Sequence, residues 1–168
     1  KYFRSAWDLL KSWLRQEPSD FTECFWMSLN CWLAITAWSF ISLCILQMTG
    51  VLAKISLRMN PLEIFSAAFM EELMFRLAFL GPFIFFWGKR NIGLLLTISF
   101  ISSVLFGFAH GHLYNLFIQG IGGFIICLFF IKACETDYTP SRIFQYRALM
   151  ITAFAHTLHN AISARMLG

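Results

Sequence analysis

At 168 residues, 58% hydrophobic and 18% aromatic with only 13% charged, the chain is too apolar and too poor in charge for an ordinary soluble domain, and its mean hydropathy of +0.66 places it in a bilayer. The net charge of +4 does not point to nucleic acid, because the thirteen Lys and Arg gather at segment ends and form no stripe with interleaved aromatics. Five cysteines (Cys24, Cys31, Cys44, Cys127, Cys134) make no CxxC pair and lie mostly within apolar runs, which argues against a disulfide framework or a zinc site.

Residues 1–16 place Phe3, Ala6, Trp7, Leu10, Trp13 and Leu14 at helical spacing, with Lys1, Arg4, Asp8, Lys11 and Arg15 opposite. Such an amphipathic helix lies at headgroup level or pads a neighbouring helix. After the polar turn Glu17-Pro18-Ser19-Asp20, the run from about Phe21 to Gln47 is long enough to span a membrane and carries one early charge, Glu23. Residues 49–60 read as a connection. Pro61 suits the first position of a second spanning helix running to about Trp87, kinked at Gly81-Pro82 because Pro82 has no N–H for the ladder. The basic turn Gly88-Lys89-Arg90-Asn91 leads to a third helix, Ile92 to His110, and Gly111 to a fourth, Leu113 to Ile131. Residues 132–143 are polar and include Pro140, and a last helix runs from about Phe144 to Ala164. The result is an all-α fold: a polytopic transmembrane helix bundle of about five spans (21–168) preceded by an N-terminal interfacial amphipathic helix (1–20). The start at Lys1, without Met and without a signal-like apolar stretch, reads as a trimmed chain from which native flanking helices could be missing.

With a cytoplasmic amino terminus, Lys1, Arg4, Lys11, Arg15, Lys89, Arg90, Lys132, Arg142 and Arg147 fall inside, against Lys54, Arg58 and Arg165 outside. That bias favours the amino terminus in the cytoplasm.

Glu71, Glu72 and Arg76 stand near mid-depth of the second helix. Each unpaired charge there costs about 2.5 to 3.5 kcal/mol on insertion scales, so partners are required. Glu72 and Arg76, four apart with the acid first, can pair along one face. Glu71 points about 100° away and must find its partner on another helix. The candidates are His110, ending the third helix, and His156 with Asn160, sharing one face of the last. A carboxylate beside an imidazole can take a proton from a trapped water, and a second imidazole with an amide can donate hydrogen bonds to the oxyanion formed when that water attacks a carbonyl.

Three motifs follow in order: EELMFR at 71–76, FGFAH at 106–110 and HTLHN at 156–160. They resemble the EExxxR, FxxxH and HxxxN motifs of the CPBP (Abi) family, the CAAX protease and bacteriocin-processing group of glutamic intramembrane proteases. The resemblance covers 71–160 and shows no departure in the motif residues. It implies that Glu71 and His110 activate water, that His156 and Asn160 form an oxyanion hole, and that Glu72 with Arg76 supports the site or positions substrate. It further implies a multi-pass protein of a prokaryotic inner membrane. Its partners would be membrane lipids and a membrane-associated or lipid-anchored protein or peptide as substrate, with no nucleic acid, cofactor or metal.

Other readings stand beside this one. Glu72 and Arg76 form either an ion pair that clamps the bundle or part of the catalytic set. His112 and His159 read as loop, interface or core histidines. Glu71, His110 and His156 could bind zinc as two imidazoles and a carboxylate, although HExxH is absent. A non-catalytic membrane scaffold could use the same cluster to hold partner helices.

Overall fold

The computed structural model describes residues 5–48, 60–134 and 145–167. Within them the chain is all-helical, without strands. The expectations for residues 1–4, for the connection at 49–59 and for the stretch 135–144, including Pro140, Arg142 and a helix start at Phe144, lie outside the described residues.

Helix α1 (Ala6–Arg15) is capped by Ser5, whose hydroxyl accepts from the Asp8 N–H at 3.2 Å. Helix α2 (Phe21–Met48) is the longest. Helix α3 (Pro61–Glu72) opens on a capping box, in which Asn60 Oδ1 accepts from Glu63 N–H at 2.9 Å and Glu63 Oε2 accepts from Asn60 N–H at 3.0 Å. The second expected helix is not one rod. After Glu72 the backbone widens into a π-helical stretch, Leu73–Ala78, and restarts as α4 (Gly81–Trp87). Pro82 withholds the N–H that would bond the Ala78 carbonyl, and the break falls just before it. Helix α5 is Ile92–Ala109. The fourth expected helix is also composite: a short α6 (Leu113–Asn115), a π-helical stretch Leu116–Gly120, and α7 (Ile121–Ala133). Helix α8 is Tyr146–Leu167.

Among the described residues, three helical segments are long and apolar enough to cross a membrane: Phe21–Met48, Ile92–Ala109 and Leu113–Ala133. Of the remaining two expected spans, one is broken by the turn at Phe79-Leu80 ahead of Pro82, and the other dilutes its apolar content with Arg147, His156, His159 and Asn160.

The distribution of side chains is that of a membrane protein. Along α5, Ser99, Ser102, Ser103 and Gly107 face inward, while Phe100, Leu105 and Phe108 are exposed. Small residues inside let helices approach closely, and large apolar ones outside meet lipid. Soluble proteins rarely expose contiguous apolar surface on this scale.

One end of the bundle is fastened by cations. Lys132 Nζ donates to the carbonyls of Trp13 and Gln16 at 3.1 and 3.3 Å, Arg147 donates to the Pro18 carbonyl at 2.8 Å, and Lys89 Nζ donates to the Lys132 carbonyl at 2.8 Å. The end of α1, the start of α2, the α4–α5 turn, the end of α7 and the start of α8 therefore lie together. The α1 helix is seated on this end: Leu14 is fully buried and the Trp13 ring meets Phe129 of α7 edge-on at 5.3 Å, whereas Trp7 and Leu9 stay exposed.

Lys89 sits outside the apolar segments, yet it is nearly buried, and desolvation pushes its ammonium pKa down to about 8 from the ordinary 10.5. Below about pH 8 the lysine is charged in folded and unfolded chains alike, and the fold bears the full cost of burying that charge. Between about 8 and 10.5 the unfolded chain holds the extra proton, so stability should rise with pH by roughly 3 kcal/mol. Thermal unfolding of the detergent-solubilised protein across this window should show the rise in the wild type and not in Lys89→Met. Parallel curves for the two would contradict the assignment.

Candidate functional site

The site is built from α3, its π extension, the C-terminal end of α5, α7 and the middle of α8. Glu72 and Arg76, four apart, are both fully buried, with Arg76 Nη1 3.4 Å from Glu72 Oε1. The same Oε1 lies 2.9 Å from His156 Nδ1. A carboxylate beside a guanidinium accepts, so His156 donates its Nδ1–H. Arg76 Nη2 donates to the Gly123 carbonyl of α7 at 3.2 Å, and its guanidinium lies 4.6 Å from the centre of the Phe106 ring. Three helices thus converge on one arginine.

Glu71 points elsewhere, as its position one residue away demands. Its Oε1 is 3.8 Å from His110 Nε2 and its Oε2 is 3.5 Å from His156 Nε2. The His110 ring is held from behind, with Nδ1 2.8 Å from the Phe106 carbonyl. A carbonyl only accepts, so Nδ1 donates to it and Nε2 is the nitrogen turned toward Glu71. Glu71 Oε2 is buried and has no hydrogen-bond partner. Both imidazole contacts are longer than a direct hydrogen bond.

Five of the six expected site residues are thereby brought together: Glu71, Glu72, Arg76, His110 and His156. Asn160 is half-buried one turn beyond His156, on the same face, and no hydrogen bond or ion pair joins it to the other five. His159 faces α2 instead, with Nδ1 3.2 Å from Thr36 Oγ1 and Nε2 3.3 Å from Ser39 Oγ. His112 is exposed and stacks on Tyr114. Both occupy the interface and loop positions expected of them. Among the described residues, no group of three His, Cys, Asp or Glu side chains has the arrangement of a metal-ligand set.

Residues outside the expected set also build the site. The Phe106 ring touches Arg76, His110 and His156, with ring centroids 4.7 Å from His110 and 6.0 Å from His156. Its place four residues before His110 was the available signal. Ser102 Oγ donates to the Phe75 carbonyl at 2.7 Å, and Phe75 meets Phe106 edge-on at 5.1 Å. Gly123 had no sequence signal. A Cβ there would lie 2.8 Å from Phe106 and 3.1 Å from Arg76 Nη2. Gly123→Ala should therefore displace both groups and cost about 1 to 3 kcal/mol by overpacking, read as a lower melting temperature in detergent. An unchanged melting temperature would show that the arginine pocket is slack.

Gly107 is fixed by a different neighbour. Its Cβ would stand 2.9 Å from Leu116 Cα, so the π-helical stretch approaches α5 at a distance only glycine permits. That approach holds the turn after His110, where Asn115 Nδ2 donates to the His110 carbonyl at 2.7 Å.

No protein-family model, no curated protein and no solved structure matches this chain.

Proposed function

We propose that the chain is a glutamic-type intramembrane endopeptidase, in which Glu71 and His110 activate a water that hydrolyses a peptide bond of a membrane-associated or lipid-anchored protein or peptide. The observation that carries this reading is the Glu71 carboxylate set between two imidazoles, its Oε1 3.8 Å from His110 Nε2 and its Oε2 3.5 Å from His156 Nε2. A carboxylate and an imidazole nitrogen side by side are suited to orient a water and accept its proton. The three motifs support the reading independently, because their resemblance to the CPBP family selects the same residues.

In the oxyanion role His156 donates from Nε2, with its Nδ1 held by Glu72. Asn160, one turn on, supplies the neutral donor. Glu72 and Arg76 act at one remove, fixing His156 through the Glu72 carboxylate.

Five crossings complete the picture: Phe21–Met48, the broken 61–87, Ile92–Ala109, the composite 113–133 and α8. The amino terminus is cytoplasmic in a prokaryotic inner membrane, with α1 at the headgroups of that face. Two features support this arrangement, the cationic end of the bundle and the exposed Trp7 of α1.

The test is cleavage of a quenched membrane-peptide reporter by the purified protein in lipid vesicles. His110→Ala should lose tenfold or more in turnover, while His112→Ala, two residues on and outside the cluster, should stay within about twofold. Equal losses in the two variants would remove His110 from the reaction. Wild-type protein that cuts no member of a reporter panel would favour the scaffold reading.

A further inference from the structure

We infer that substrate reaches the site through an opening between α3 and the α5–α6 turn, at the end of the bundle opposite the cationic fastening. It is therefore a segment presented on the non-cytoplasmic side of the membrane, not a cytoplasmic terminus. The inference rests on the protease reading above and adds the side and route of access.

The site is closed on one flank and open on the other. Glu72, Arg76 and His156 have side chains at most 4% exposed, whereas Glu71 and His110 are 28% and 29% exposed. The closed flank is explicit: one turn beyond Glu71, the Ser102 bond to the Phe75 carbonyl and the Phe75–Phe106 contact weld the π stretch to α5. Before that point α3 faces the end of α5 through Glu71 and His110, 3.8 Å apart and both partly exposed. Helix α3 packs on α8, and contact with α5 is made by the π stretch that follows it. On the rim, Ala67 lies one turn before Glu71 on nearly the same face and is only half-buried, a small side chain where a peptide strand would pass.

Direction along the bundle follows from connectivity. The residues of the weld lie on the side of the site nearer Trp87 and Ile92, which belong to the cationic end. His110, at the C-terminus of α5, lies toward the other end, as does the start of α3 at Pro61. Glu71 is ten residues from Pro61, about 15 Å along a helix, so the site is reached from that end without crossing the whole bilayer. Cytoplasmic placement of Lys89, Lys132 and Arg147 then puts the opening on the opposite face. A scissile bond held there belongs to a translocated peptide or to the outer juxtamembrane segment of a membrane protein.

Single cysteines read this directly. The probe is a charged, membrane-impermeant maleimide applied to intact cells expressing the full chain, with the unsubstituted chain as the blank. His112→Cys at the open end and Ala67→Cys in the opening should label at least tenfold faster than Arg90→Cys, which should react only after permeabilisation. Labelling of Arg90→Cys but not His112→Cys in intact cells would reverse the side and overturn the inference. Labelling of His112→Cys with a silent Ala67→Cys would show that the opening is closed to water, and overturn it equally. These outcomes report access alone, and Glu71→Gln reports hydrolysis alone. Failure of the protease reading is therefore distinguishable from failure of the route.

Discussion

Glu71→Gln should keep the size and fold of the side chain and lower cleavage of a membrane-peptide reporter by at least about 10²-fold. General-base assistance contributes roughly 10² to 10⁴ in rate, and an amide oxygen at this position accepts a hydrogen bond but cannot take the proton. The geometry makes the substitution gentle for the fold. Glu71 Oε2 has no hydrogen-bond partner, and the arginine is engaged by Glu72 and the Gly123 carbonyl, so no strong bond is broken. Glu72→Gln offers the contrast. It removes the anion that Arg76 and His156 share in a dry interior, where breaking such a pair costs about 3 to 5 kcal/mol. The two variants should separate cleanly: folded but inactive for Glu71, poorly folded for Glu72. Wild-type turnover in Glu71→Gln would end the glutamic mechanism.

That separation was partly legible in the sequence and partly not. Helical periodicity divides Glu71 from Glu72 by 100° and pairs the latter with Arg76, and both consequences hold in three dimensions. Capping chemistry at Asn60, Pro61 and Glu63 was equally readable. The π-helical turn at Leu73–Ala78 was not, because it depends on Pro82 and on what the widened turn can reach on α5 and α7. Contacts between helices were also hidden. Nothing in the spacing of α7 announces that a carbonyl at Gly123 receives the buried guanidinium, or that Phe106 stands between both histidines. Hydropathy gave apolar segments reliably but not their number, since the segments that hold the chemistry are those whose polar residues lower the signal.

The last helix sets the most demanding test. Asn160 is assigned to the oxyanion hole by its place one turn from His156 and by the HTLHN motif, although it has no hydrogen bond to the cluster. A donor that acts only on the transition state does not need a partner in the resting protein. Loss of one oxyanion donor typically costs about 2.7 to 4 kcal/mol of transition-state stabilisation, so Asn160→Ala should slow turnover by roughly 10² to 10³ with little change in KM. His159→Ala should act on a different quantity. Its two ring nitrogens face Thr36 and Ser39 of α2 and make no bond to the cluster. Removing it leaves two hydroxyls without that partner at a helix interface, at a cost of about 1 to 3 kcal/mol in stability. Turnover per folded molecule should stay within a few-fold of wild type. Measured together on detergent-purified protein, melting temperature should fall for His159→Ala and turnover for Asn160→Ala. If His159→Ala lost turnover as Asn160→Ala does while both stayed folded, the catalytic face of α8 would be misassigned and His159 would belong in the site.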